Sequence, residues 1–436
     1  MSQGKSGETS LSLQTEPASA AKWDRRANPL LAIDAIRPTA KTARELLQIR
    51  GIEVTSETKA LSRTEKLTLT ANLDQSFEAT PLEQAIYGDL HDAVRATWAK
   101  VNPLSPAAIE RTSGFGDAIR TANPKHVPTA KIRGQGFVLC CAAESGGLRF
   151  VERTTELLGQ SLRFLSLDVD TDVPYWPAMV VRWPACGTDE QFHANFLAAF
   201  DANASGSRFF STAFRSTAKK VMRPIYVSAL AAMANVGLLF VVGANYSNFH
   251  SEKSRKLLLF LDEFMAQTGI SVVFVCTAPV YERLLQMGTV GASLTSGSWE
   301  EIQWLVPESA FFREVNHSLW KQSLVWDEPD DIPEDVLAAA AEVTHGSRDA
   351  LCRFHRMLQI AAIRDTKRQK PVDLLNGVVR EFRRQTEQLQ RVGQFLRDFY
   401  ERAGKKDTPV RATPAGNVWA DFLSVDTCRA LGYLAQ

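Results

Sequence analysis

The residues with the most chemical content lie in one stretch, Gly136–Phe150, GFVLCCAAESGGLRF. An apolar run, Phe137-Val138-Leu139-Cys140-Cys141, meets a small-residue turn, Ala142-Ala143-Glu144-Ser145-Gly146-Gly147, and a helix is predicted from Leu148 to about Leu158. Strand, Gly-rich turn and helix N-terminus are the layout of a phosphate-binding loop of pattern G-x-x-x-x-G-K-[ST]. In that loop backbone N–H groups cradle the phosphates, the Lys reaches the outer ones and the hydroxyl holds Mg²⁺. Set on the pattern, Ala142 replaces the first Gly, Gly147 keeps the second, Leu148 takes the Lys place and Arg149 the Ser/Thr place. Gly146 and Gly147 still offer backbone donors, and an arginine such as Arg149 can pair with a phosphate. Against them, Leu148 puts an isobutyl group where the ammonium belongs and Glu144 adds like charge. The loop is expected to hold no ATP, no other cofactor and no metal.

Other polar groupings carry less. His250-Ser251-Glu252 and Asp262-Glu263 come without a G-x-S-x-G elbow and read as surface residues. Asp168, Asp170 and Asp172 alternate but lack the Gly and the later Glu of a calcium loop. The six cysteines form no C-x-x-C pair, so a zinc site is not expected; Cys140, Cys141 and Cys276 fall in apolar strands and read as buried, inert thiols.

The elements that must position the loop alternate. Strands are predicted over 137–141, 179–183, 238–242, 271–276 and 301–305, and helices over 148–158, 189–200, 214–235, 254–268 and 279–287. Continuous apolar runs such as GLLFVV and ISVVFVC are those of strands covered on both faces, so the reading is a parallel α/β sheet flanked by helices. Before it, Leu82, Ile86, Leu90, Val94 and Trp98 repeat at four-residue spacing behind Thr80-Pro81, a helix with a ready cap. From Pro333 the pattern is helical only: 333–344, 347–363, and one long helix from about Val372 to Ala403. Residues 364–406 hold twelve Lys/Arg against six Asp/Glu.

At 436 residues and 45% hydrophobic composition the chain can bury more than one core. The expected division is a flexible N-terminal arm (1–80) with short helices around 42–49 and 62–71, an α/β core (81–328), a helical lid (329–370), and a basic C-terminal helix and tail (371–436). The apolar, aromatic segment 418–434 either docks on another protein or packs back on the body. Net charge is +1, so attraction to nucleic acid has to come from local clusters. The N-terminus has no apolar core of a signal peptide and no window approaches a membrane span, which predicts a cytoplasmic protein with no membrane contact.

A sheet followed by a small helical lid is the order of parts in an AAA+ ATPase, and several stretches resemble the TniB and TnsC-type ATPases of bacterial transposons. Val173-Pro174-Tyr175-Trp176-Pro177-Ala178-Met179-Val180-Val181-Arg182-Trp183-Pro184 is similar to that family's V-P-x-x-x-V-R-x-P. The run from Asn245 to Leu261 resembles its H-N-L-L-x-G-S-x-R-x-Q-x-x-F-L, and SVVFVCTAPVYERLL its V-x-V-G-T-x-E, with Thr277 at the sensor 1 position. Ile302–Pro307 approximates F-x-L-P-x-W without the Trp, and Thr344-His345-Gly346-Ser347-Arg348 the sensor 2 turn, with Arg348 as its cation. Together these cover about 81–364. The resemblance implies a P-loop/AAA+ core, a small helical lid and a helical C-terminal extension.

The departures are as specific. Where the family's Walker B strand ends in Asp-Glu, one for Mg²⁺ and one for the attacking water, Leu239-Phe240-Val241-Val242 runs into Gly243-Ala244. With the P-loop Lys and Ser/Thr also gone, the expectation is a pseudo-ATPase with no catalytic residue. The resemblance implies an accessory protein of transposition, assembling with a transposase, an active TniB/TnsC-type ATPase or a target selector as a homo- or hetero-oligomer. It also implies duplex DNA along the core, which makes Arg215, Lys219, Lys220 and Arg223, with Arg208 nearby, and Lys253, Arg255 and Lys256 the candidates for salt-sensitive phosphate contacts. Two alternatives stand beside it: an NTPase with Arg149 in the Lys role and Asp262 or Glu263 recruited for Mg²⁺, and an AAA+-derived regulatory or defence adaptor that binds no DNA.

Overall fold

The structure, a computed structural model, describes residues 28–33, 40–128, 133–167, 171–204, 222–249, 251–326, 331–365, 370–403 and 417–431. Helices α1 (Ala40–Leu47), α2 (Ser56–Ala60), α3 (Arg63–Leu69), α4 (Pro81–Lys100) and α5 (Pro106–Thr121) precede the sheet. The sheet region runs β1 (Gly136–Cys141), α6 (Gly147–Leu158), β2 (Arg163–Leu167), β3 (Thr171–Arg182), α7 (Asp189–Ala204), α8 (Arg223–Met233), β4 (Val236–Ala244), α9 (Ser251–Thr268), β5 (Ser271–Cys276), α10 (Ala278–Leu285), α11 (Thr289–Leu294) and β6 (Trp299–Ile302). Helices α12 (Ala310–Trp320), α13 (Glu334–Thr344), α14 (Arg348–Arg364), α15 (Pro371–Gln385) and α16 (Glu387–Ala403) follow. A 3-10 turn, Asn417–Phe422, and α17 (Val425–Ala430) come last.

Strand order is β2-β3-β4-β5-β1-β6. All neighbours are parallel except β2, an edge strand antiparallel to β3 that sequence patterning does not reveal. Because successive side chains alternate faces, each apolar run feeds two cores. Val138, Cys140, Leu239, Val241, Val272 and Phe274 pack with α7, α8, α9 and α10. Leu139, Leu238, Phe240, Val242, Val273 and Val275 pack with α1, α4 and α6. The predicted alternation of strands and helices is present, and helix α4 carries the expected Thr80 cap: its hydroxyl accepts from Glu83 N while the Glu83 carboxylate accepts from Thr80 N at 2.8 Å.

Two expectations are corrected. Residues 40–80, expected as part of a flexible arm, are folded into the body. Ala43 and Leu47 enter the core under the sheet, Ile52 and Leu73 enter the core of the helical unit, and Ile49 bridges Phe77. Their apolar residues show no period because they serve two different cores. The long C-terminal helix is two helices broken at Thr386 (φ −119°, ψ 36°), whose hydroxyl donates to Phe382 O at 2.7 Å. The break lets Val378, Phe382 and Leu389 join the helical unit's core while Phe395 and Leu396 turn onto the sheet's core. That helical core also takes in α12, so it begins before residue 329. No helix among the described residues is long and apolar enough to cross a membrane.

Candidate functional site

Strand β1 delivers its chain to the turn 142–146 at the C-terminal edge of the sheet, the edge where open α/β sheets bind ligands. The turn is tight and uses conformations that favour glycine. Gly146 lies in the left-handed region (φ 82°) and Glu144 does too (φ 58°), and a Cβ on Gly147 would sit 2.5 Å from Cys141 Sγ. The charged side chains near it, however, are turned elsewhere or paired.

Leu148 is 57% exposed on the first turn of α6. Arg149 points away from the loop: it donates to Ser76 O at 2.9 Å and pairs with Asp349 at 3.0 Å, bridging the N-terminal segment to α14. Arg348 is 4% exposed and makes a two-pronged pair with the buried carboxylate of Glu83, at 2.6 and 2.8 Å. Its Nε donates to Ser145 O at 2.5 Å, and it lies so close to Gly146 that a Cβ there would be 3.1 Å from that Nε. Glu144 is held by Arg353 at 2.6 Å, and its carbonyl accepts from Ser347 Oγ. The loop is thus stapled to α14 by two arginines and a serine.

Where the resemblance would place Walker B, β4 ends in a bulge: its register with β5 shifts between Val241 and Ala244, and Gly243 takes φ 89°. An Asp at 243 would carry the left-handed strain that glycine avoids, of about 1–2 kcal/mol. A carboxylate from a segment far along the chain reaches this edge. Asp421, on the 3-10 turn, takes a hydrogen bond from Thr277 Oγ1 (2.5 Å) and one from Tyr246 N (2.8 Å) on a single carboxylate oxygen, and its carbonyl accepts from Ala143 N (2.7 Å). Segment 417–431 therefore packs back across the ends of β1, β4, β5 and β6, which decides between the two readings of the tail. Beside it a cavity of about 630 Å³ opens between Ala142, Trp304, Val306, His345, Leu396 and Phe422. Burial holds the His345 imidazole down to about 4, so it is neutral there.

Gly146, Gly147, Thr277 and Arg348 are accordingly brought together, and Arg149 is not. Asp421, Glu83 and Arg353 were missed by sequence reasoning. Glu83 carried a local signal, as the last residue of a capping box, but nothing pointed to its partner 265 residues away.

Of the basic candidates, Arg215, Lys219 and Lys220 lie outside the described residues, as does Arg208. Arg223 pairs with Glu190. Lys253, Arg255 and Lys256 are exposed on the first turns of α9, at the same edge of the sheet as the loop. Asp262 is held by Arg133, which precedes β1, so it lies at the opposite edge, roughly 20 Å away for a six-residue strand. Among the described residues no group of three or more His, Cys, Asp or Glu is placed to hold a metal ion.

No protein-family model matches the chain, and no curated protein matches it. Among solved structures it is similar to the ORC2 protein of Aeropyrum pernix, in its ADPNP-ADP complexes, at 12% identity and a TM-score of 0.38, over 74% of this chain and 85% of that one. A likeness at this level says nothing of what this chain binds.

Proposed function

We propose that this protein is a non-hydrolysing, AAA+-derived accessory factor of DNA transposition, one that acts by contact with a transposase, an active ATPase or a target selector and with duplex DNA. The observation that carries the loss of hydrolysis is the state of the loop. Lys, Ser/Thr, Asp and Glu are absent from their four places, and the surrounding donors are engaged by Asp421. Hydrolysis needs a positioned water, a metal and stabilised phosphate charge; in support of the reading, the arginine nearest the loop, Arg348, is already paired with Glu83. The distance of Asp262 from the loop weighs against a recruited Mg²⁺ ligand.

The link to transposition rests on the order of sequence stretches between residues 81 and 364, and the link to DNA on Lys253, Arg255 and Lys256. Cations in the first turns of a helix oppose its dipole, so helix stability does not explain them, whereas a phosphate backbone would. Purified protein is expected to turn over no ATP above background and to show no change in melting temperature with ATP and Mg²⁺. It is expected to be retained on duplex DNA at low salt, with the triple change Lys253→Glu, Arg255→Glu, Lys256→Glu weakening retention and flattening its salt dependence by about one unit of slope per lost contact. Turnover abolished by Arg149→Ala or Arg348→Ala would sink the first part. No salt-dependent retention on duplex DNA would leave a protein-contact adaptor as the surviving reading.

A further inference from the structure

Residues 417–431 are held by directed contacts of a kind that space-filling does not require. Donors from the ends of three strands converge on one residue: Ala143 N–H on the Asp421 carbonyl, and Tyr246 N–H with Thr277 Oγ1–H on one carboxylate oxygen, at 2.7, 2.8 and 2.5 Å. One backbone N–H, from Tyr246, and one hydroxyl, from Thr277, thus meet the anion, which is carried by the chain itself, while the Ala143 N–H holds the neutral carbonyl of the same residue. Around that anchor the contacts continue in register. Phe422 meets Trp304 edge-on at 6.1 Å, and the Trp304 indole N–H donates to Ala143 O at 2.8 Å, so Ala143 is gripped through both its N–H and its C=O. Val425 N–H is accepted by Glu301 and Arg429 by Glu282, at 2.8 and 2.7 Å. Ala420, Leu423, Val425 and Cys428 are buried.

An anion anchor, an aromatic neighbour, spaced apolar plugs and a distal cation are the parts of a peptide-recognition site. We propose that this edge of the sheet is a binding site for a peptide of the form Asp-aromatic-apolar with a later Arg, and that segment 417–431 is its resident ligand, favoured by its tether but replaceable by the same peptide supplied in trans once its own anchor is removed. The proposal rests on the reading of the loop as non-hydrolysing, because a nucleotide phosphate would need the same donors. Failure of the two is separable, since ATP turnover tests the loop and peptide binding tests the groove.

The experiment uses the full chain carrying Asp421→Ala, and two synthetic peptides of residues 417–431, one of native sequence and one with the same Asp421→Ala change. Amide hydrogen exchange is read at Ala143, Tyr246 and Val425. The substitution removes the anchor and is expected to speed exchange by about tenfold or more at Tyr246 and Val425, whose N–H groups bond carboxylates, and by less at Ala143, whose N–H bonds a neutral carbonyl, while amides inside β1, β4 and β5 keep their protection. The native peptide restores protection at Ala143 and Tyr246, and the altered peptide needs at least about tenfold more to do so. Unchanged exchange in the variant, no protection by the native peptide, or equal protection by both peptides would each overturn the proposal. Protection by millimolar pyrophosphate matching that of the native peptide would overturn it too, as the mark of a phosphate site. Should Asp421→Ala loosen the whole fold, Thr277→Val removes one donor without touching the segment; faster exchange at Val425 supports the site and unchanged exchange refutes it.

Discussion

Arg348 is spent within the fold: it is buried against Glu83 and closes on Ser145 O. A buried pair is expensive to break from one side, because the remaining charge has neither water nor partner. Glu83→Gln or Arg348→Met alone is therefore expected to cost about 3–5 kcal/mol, read as a drop in urea midpoint. Replacing both with apolar residues of similar volume should cost clearly less than the sum. Equal and additive losses would mean that the pair is not coupled.

At the scale of elements, the helical unit is fitted to the loop and to α16 by close approach. A Cβ on Gly393 would fall 2.0 Å from His345 Cδ2, so α16 can lie on the turn before α14 only with glycine there. Gly393→Ala forces the imidazole or the helix aside and is expected to cost about 1–3 kcal/mol, in the range of other overpacking changes, even though alanine favours the helix itself. A stabilised variant by thermal melting would show that this contact is loose. The breaks between elements were the least legible feature in sequence. Thr386 interrupts an amphipathic pattern that runs on unbroken through 372–403, since the apolar faces of α15 and α16 are both needed: α15 and Leu389 of α16 in the helical unit's core, Phe395 and Leu396 of α16 on the sheet's core. The alternation of 137–141 and 271–276 was legible because buried parallel strands leave continuous apolar runs that little else produces.

For the molecule as a whole, three buried imidazoles set a pH dependence. Burial lowers His193 and His345 to about 4 and His355 to about 3. Their folded values lie below the ordinary 6.5, so each contributes stability that is fully present above about pH 6.5. That contribution is lost as pH falls toward 4 and then 3, because the unfolded chain takes up the proton first. The expected outcome is a fall of several kcal/mol in unfolding free energy between pH 7 and 4, and a shallower fall in His355→Gln, where the amide can still meet Asn316, now 2.9 Å from the imidazole. An identical pH profile in that variant would remove His355 from the account.

The sequence by itself determined five of the six strands, most of the helices around them and the glycine-rich turn after the first strand. Those features are local: periodicity, glycine placement and residue type are written in a few neighbouring positions. Only the tertiary structure decided that residues 40–80 belong to the body, that Arg149 turns from the loop while Arg348 closes on it, and that Asp421 lies across the ends of the strands. Each of those depends on a partner far along the chain, 144 residues in the case of Thr277 and Asp421. A single acidic residue in a short apolar tail carries no mark of its partner until folding brings the two into hydrogen-bonding distance, out of bulk water.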